Sequence, residues 1–269
     1  MDFPGQIAGE LPATRPTANA RLNKQPNVRP SENVLYGKTL YHMGRSLMAV
    51  YMRFMLNVDI RWHAPLPEGP KILAPNHPTT TDPLYLLPLL PEPVSFVVTA
   101  ASFDVPVVGA YLRAAGHVPA IRGSGGATVD TIVRQVEAGR SVAIFPEGAL
   151  SPLAGGFHRP HSGVARVALR TGAPVIPVGI GLQRDRIRVT EAQVDGDKAI
   201  GHFYLGGPYA ITVGRPLTFA GDVQDRERVR AAAAHIMDHI RNLARQSERR
   251  VARAPVAAPQ PGASPVEAL

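Results

Sequence analysis

The chain has 269 residues, no cysteine and a formal net charge of +8. Its length suits one α/β core with appendages, and the absence of thiols excludes a disulfide framework and thiolate metal sites. The charge favours a polyanionic partner, with nucleic acid and anionic lipid headgroups as the two usual candidates.

Residues 1–32 mix proline, alanine, asparagine and arginine without period and predict a flexible arm; they lack the apolar core of a signal peptide. Residues 33–57 change pattern. Leu40, Met43, Leu47, Tyr51 and Phe54 fall on one helical face, and Lys38, His42, Arg45 and Arg53 on the other. Such a basic amphipathic helix either packs on a core or lies in a membrane interface with its arginines at headgroup level. No apolar run in the chain is long enough to predict a membrane-spanning helix, so the expected location is the cytosol or the cytoplasmic face of a membrane, peripheral or monotopic.

Val58 to His63 and Lys71 to Asn76 read as strands, and Leu84 to Leu90 resumes an apolar pattern. The polar octet between them, Asn76-His77-Pro78-Thr79-Thr80-Thr81-Asp82-Pro83, therefore sits at a strand-to-helix junction, where open α/β sheets carry their sites. On one continuous helix, positions five apart diverge by about 140°, so His77 and Asp82 meet only if the loop folds back. Pro78 disfavours helical dihedrals at His77, and Pro83 suits the first helical position, which makes Asp82 the expected N-cap. If the pair meets, Asp82 fixes the tautomer of His77 and frees the other ring nitrogen to take a proton from an alcohol. The plainer alternative is that Asp82 caps a helix and His77 is a hydrogen-bonded loop histidine.

Val94 to Val98 reads as a buried strand, Val105 to Ala115 as helix, and Gly116 to Arg122 as a strand delivering Arg122 to a glycine-rich turn, where it can hold phosphate. Thr128 to Ala138 has helical spacing closed by Gly139, and Ser141 to Phe145 is a strand ending in the polar loop Pro146-Glu147-Gly148-Ala149-Leu150-Ser151. Val164 to Arg170 reads as helix, Pro174 to Ile180 and Tyr209 to Val213 as strands, and Val229 to Ala244 as a final helix with one arginine-rich face. This alternation predicts an α/β fold with a mostly parallel sheet flanked by helices. From about Arg250 the composition turns to proline and alanine, which predicts a main domain over residues 58–250 and a disordered tail over 251–269.

Four stretches taken together carry a resemblance. Asn76, His77 and Asp82, then Gly116 to Arg122, then Phe145-Pro146-Glu147-Gly148, then Val175-Ile176-Pro177-Val178, follow in order and spacing the blocks of the glycerolipid acyltransferase family, whose best-known members are the lysophosphatidate acyltransferases. The resemblance spans roughly residues 58 to 216. It implies that His77 acts as general base on a lysolipid hydroxyl that attacks the thioester of acyl-coenzyme A or acyl-carrier protein, with Asp82 orienting it. It further implies that Asn76, Arg122, Glu147 and Gly148 serve the acceptor's phosphoglycerol end, that the residue 33–57 helix seats the enzyme on a membrane surface, and that neither a metal nor a further cofactor takes part. One departure stands out: the family continues its third block with Thr-Arg-Ser, and this chain reads Ala149-Leu150-Ser151. Either Arg122, helped by Arg159 or His158, carries the anion, or the acceptor has no phosphate there, as in a lyso-ornithine lipid. A catalytically silent lipid-binding module is the reading from another class. Nucleic acid is not expected, because the arginines are spread along the chain without a recognised binding motif. His117, His158 and His161 are expected to be structural.

Overall fold

The computed structural model of the protein describes residues 34–120, 123–194 and 197–253. The arm expected at residues 1–32 lies outside them, as do Arg122 and residues 254–269 of the expected tail.

In chain order the elements are α1 (Val34–Met55), β1 (Leu56–Trp62), β2 (Ile72–Pro75), α2 (Asp82–Leu86), β3 (Val94–Thr99), α3 (Val108–Ala114), β4 (Val118–Ala120), α4 (Gly125–Glu137), β5 (Ser141–Ala143), α5 (Gly163–Thr171), β6 (Val175–Leu182), β7 (Arg188–Val194), β8 (Asp197–Phe203), β9 (Gly207–Val213) and α6 (Arg226–Arg253). Seven strands form one sheet in the order β1-β9-β6-β2-β5-β3-β4. Every pairing in it is parallel except β6 with β9. Parallel neighbours need crossovers, and the helices that make them cover both faces of the sheet, as expected of a mostly parallel α/β fold. The antiparallel turn from β6 into β9 needs no helix and is made through the separate hairpin β7–β8.

Side-chain alternation sorts the core into two layers. Leu73, Ala143, Ile176, Val178 and Ile180 face a layer with Tyr41 and Met52 of α1 and Tyr85 and Leu86 of α2. Ile72, Val142 and Val175 face the other layer, with Val129, Ile132 and Val136 of α4, Val164 and Val167 of α5, and Ile236 and Ile240 of α6. Burying a side chain of this size stabilises the fold by about 1.5–3 kcal/mol. Helix α6 lies directly on β6, because Gly179 and Gly181 have no side chain to hold it off. A Cβ at Gly179 would stand 2.1 Å from the Ala244 nitrogen, and one at Gly181 2.3 Å from that of Glu248.

Two expectations are revised. Helix α1 does not present one apolar stripe: Tyr41 and Met52 are buried and Met48 and Tyr51 pack on the core, whereas Met43, Leu47, Val50 and Phe54 are exposed. The final helix continues to Arg253, and Arg250, near which the composition predicts a tail to begin, is tied in. Its Nε donates to Asp59 of β1 at 2.6 Å and its other nitrogens donate to Thr212 and to the Ile211 carbonyl. Among the described residues, no helix is long and apolar enough to cross a membrane.

His117, at the foot of β4, is buried and its Nδ1 accepts from the Phe96 N–H at 3.0 Å. Burial first, and then the Arg140 guanidinium, push its pKa down to about 3. The unfolded chain therefore takes up a proton here near the ordinary histidine value of 6.5, and the folded chain does not. Stability should fall as pH drops below that value, by up to about 1.4 kcal/mol per pH unit from this group. His117→Asn, which keeps an acceptor for Phe96, should flatten that slope in urea unfolding at a series of pH values. An identical slope in both proteins would show that His117 is not its source.

Candidate active site

The octet follows Pro75 at the end of β2 and runs into the first two residues of α2, Asp82 and Pro83. Because β5 and β6 flank β2 in parallel, the loops leaving all three strands emerge at one end of the sheet. Strand β9 runs antiparallel to β6 with Tyr209 opposite Leu182, so its beginning lies at that end as well. This topology, not sequence proximity, gathers the site.

The loop folds back. His77 Nδ1 lies 3.1 Å from Asp82 Oδ2, and the imidazole stacks on Phe145 with ring centroids 3.9 Å apart. Asp82 is wholly buried. Its Oδ2 also accepts from the Thr79 N–H at 2.7 Å, and its Oδ1 accepts from the hydroxyls of Thr79 at 2.6 Å and Tyr209 at 2.9 Å. An ionised carboxylate only accepts, so the proton on the His77 side of the contact belongs to Nδ1. That leaves Nε2 as the unprotonated nitrogen, and among the described residues no hydrogen bond engages it. Asp82 is the first residue of α2 rather than its N-cap; Thr81 holds the cap position, and the carboxylate turns back into the loop instead of along the helix.

Asn76 and Glu147, both expected at the acceptor, have their side chains engaged inside the protein. Asn76 is fully buried and exchanges two hydrogen bonds with the main chain of Ile180, which straps the loop after β2 to β6. Glu147 is also buried; its Oε1 accepts from the Ser151 hydroxyl at 2.6 Å and the His77 N–H at 3.2 Å, and its Oε2 from the His158 N–H at 2.8 Å. Ser151 closes the link by donating its own N–H to the His77 carbonyl at 2.7 Å. Gly148 is exposed, with φ of 65°, and a Cβ there would stand 2.7 Å from the His161 ring, so both the turn and the neighbour require glycine. His158 is held through Nε2 to the Leu150 carbonyl at 3.1 Å.

A family model described as Acyltransferase matches residues 57–181, the stretch that holds His77, Asp82 and Glu147. Residues 57–181 are thus similar to an acyltransferase domain. The fold is shared with the crystal structure of the 1-acyl-sn-glycerophosphate (LPA) acyltransferase, PlsC, from Thermotoga maritima, which is 18% identical with a TM-score of 0.55 over 81% of this chain and 80% of that one.

The residues that sequence reasoning passes over are those acting on Asp82 and Glu147 from far along the chain. Tyr209 is separated from Asp82 by 127 positions and carries no local signal. Strand β9, which carries it, follows the hairpin β7–β8. The exit of that hairpin grips the octet and the helix after it: Thr80 N–H donates to the His202 carbonyl at 2.7 Å, and the Tyr85 hydroxyl to the Tyr204 carbonyl at 2.5 Å.

If Glu147 is a strut, Glu147→Gln should cost about 1–3 kcal/mol, because an amide nitrogen would face one of three donors. Urea unfolding reads this directly, and an unchanged midpoint would remove Glu147 from the scaffold of the loop.

Proposed function

We propose that the protein transfers a fatty acyl group from acyl-coenzyme A or acyl-carrier protein to the free hydroxyl of a lysophospholipid, with 1-acyl-glycerol-3-phosphate as the leading acceptor, at a membrane surface. The observation that carries this reading is the saturated carboxylate of Asp82 against His77 Nδ1, which leaves Nε2 open in a family known for acyl transfer.

The acceptor hydroxyl gives its proton to Nε2 as its oxygen attacks the thioester carbonyl, and Asp82 stabilises the imidazolium that forms. The tetrahedral adduct collapses, the carbon–sulfur bond breaks, and the departing thiolate takes the proton back from Nε2. The products are an ester and a free thiol. No covalent acyl-enzyme is needed, which suits a chain without cysteine.

Leu150 favours a second reading of the acceptor. The scaffold of the third block is intact, since Ser151 and Glu147 hold His77, but the position where the family supplies an arginine carries leucine. A phosphate would then rely on Arg122, Arg159 or His158, and an acceptor without phosphate, such as a lyso-ornithine lipid, would need none of them. Seating on lipid is supported by Met43, Leu47, Val50 and Phe54, which leave an apolar stripe of α1 uncovered beside Arg53.

Purified protein supplied with radiolabelled acyl thioester and a panel of lysolipids tests the activity and names the acceptor. His77→Ala should lower turnover by about 10²- to 10⁴-fold with an unchanged melting temperature. Full activity in that variant would exclude His77 as the base. Replacing Leu47 and Phe54 together by serine should abolish binding to anionic vesicles with little loss of stability, because both side chains face outward. A lowered melting temperature with unchanged vesicle binding would assign them to packing instead.

A further inference from the structure

Three tyrosines, Tyr85, Tyr204 and Tyr209, sit together in the core beneath the octet. A buried phenol must find an acceptor for its proton. Tyr85 and Tyr204 use main-chain carbonyls, of Tyr204 and Pro208 respectively. Tyr209 alone is spent on a carboxylate, Oδ1 of Asp82 at 2.9 Å. It comes from β9, beyond the residues 57–181 that match the acyltransferase family. Burial, and then the negative charge of Asp82, hold its pKa well above the ordinary phenol value, so it donates throughout the working pH range.

We infer that Tyr209 is a positioning residue of the site: it holds Asp82 by Oδ1 so that Oδ2 is presented to His77, and by sharing the carboxylate's charge it sets how strongly Asp82 draws a proton onto the imidazole. The inference rests on the reading of His77 as the base for acyl transfer. Tyr209 is fully buried, so it reaches no substrate and acts only through Asp82. Without it, Oδ1 keeps one donor, the Thr79 hydroxyl, which is also within 3.0 Å of the Thr81 hydroxyl. The carboxylate is then freer to turn, and its charge is more concentrated. A more concentrated charge stabilises the imidazolium, so losing the Tyr209 hydroxyl should favour the protonated form of His77 relative to wild type. The other titratable groups around the pair are Glu147 at the His77 N–H, His158 on Glu147, Tyr85 against the Tyr209 ring, and His202, whose main chain bonds Thr80. None of them hydrogen-bonds the Tyr209 hydroxyl, whose partner is Asp82.

The test compares wild type, Tyr209→Phe and Tyr204→Phe in the full chain, labelled with ¹⁵N-histidine and with the His77 resonance assigned through His77→Ala. Tyr204→Phe removes a phenol of the same cluster that touches no carboxylate, and so controls for packing. Tyr209→Phe should move the His77 titration and the acid limb of kcat/KM to higher pH. It should also lower kcat roughly tenfold or more while leaving both KM values unchanged. Tyr204→Phe should leave the titration and the pH profile in place. The inference is overturned if Tyr209→Phe keeps the wild-type titration and kcat, or if both variants lose activity only in step with their folded fraction. Should wild type acylate none of the lysolipids tried, the functional reading falls. The His77 titration, which needs no substrate, then still decides whether Tyr209 governs the pair.

Discussion

A carboxylate taken out of water is tolerated only if its oxygens are met by donors, and the site is built around meeting that demand at Asp82. Four donors converge on it: the Thr79 amide, the Thr79 hydroxyl, the Tyr209 hydroxyl and His77 Nδ1–H. Charge-assisted bonds of this kind contribute about 1.5–3 kcal/mol each, enough together to offset the loss of hydration. The requirement dictates the turn at Pro78, the threonine at position 79 and the side from which β9 must arrive. It also decides the tautomer of His77, since an oxygen already serving as acceptor leaves the histidine only the role of donor.

The sheet supplies the rest of the constraint. Strands β2, β5 and β6 are parallel neighbours, so the octet, the Glu147 loop and Ile180 come out at one end and are stitched together there. Asn76 fastens the octet to β6, and Glu147 and Ser151 fasten it to the loop after β5. The one antiparallel pairing brings Tyr209 to the same end from the opposite direction. Buried polar networks of this kind stiffen a loop when every member is satisfied. Here they hold an imidazole against Phe145 with one nitrogen committed and one open.

The parallel core was legible because its strands are short apolar runs and its helices carry plain periodicity, and the octet was legible because Pro78 after His77 and Pro83 after Asp82 call for a turn between them. Other features depend on contacts across the fold. Tyr209 reads only as a strand residue, and Asn76 and Glu147 read as ligands for a substrate until their partners, Ile180, Ser151 and the His77 and His158 amides, are placed around them. Helix α1 misled in a different way. It is apolar on two faces, one of which carries Tyr41, Met48 and Met52 into the core while the other shows Met43, Leu47 and Phe54 to the outside. A single-stripe reading merges the two. The hairpin β7–β8 has exposed Val189 and Ile200 and contributes little apolar pattern to detect.

If Asp82 orients His77 for general-base work, Nε2 meets the acceptor hydroxyl. A crystal structure with lysophosphatidate and a non-hydrolysable acyl thioester analogue bound together measures that contact most directly. The free hydroxyl of the lysolipid should lie within about 2.6–3.2 Å of His77 Nε2, on the side facing the thioester carbonyl. A hydroxyl held by another group, with Nε2 turned away from both substrates, would contradict it.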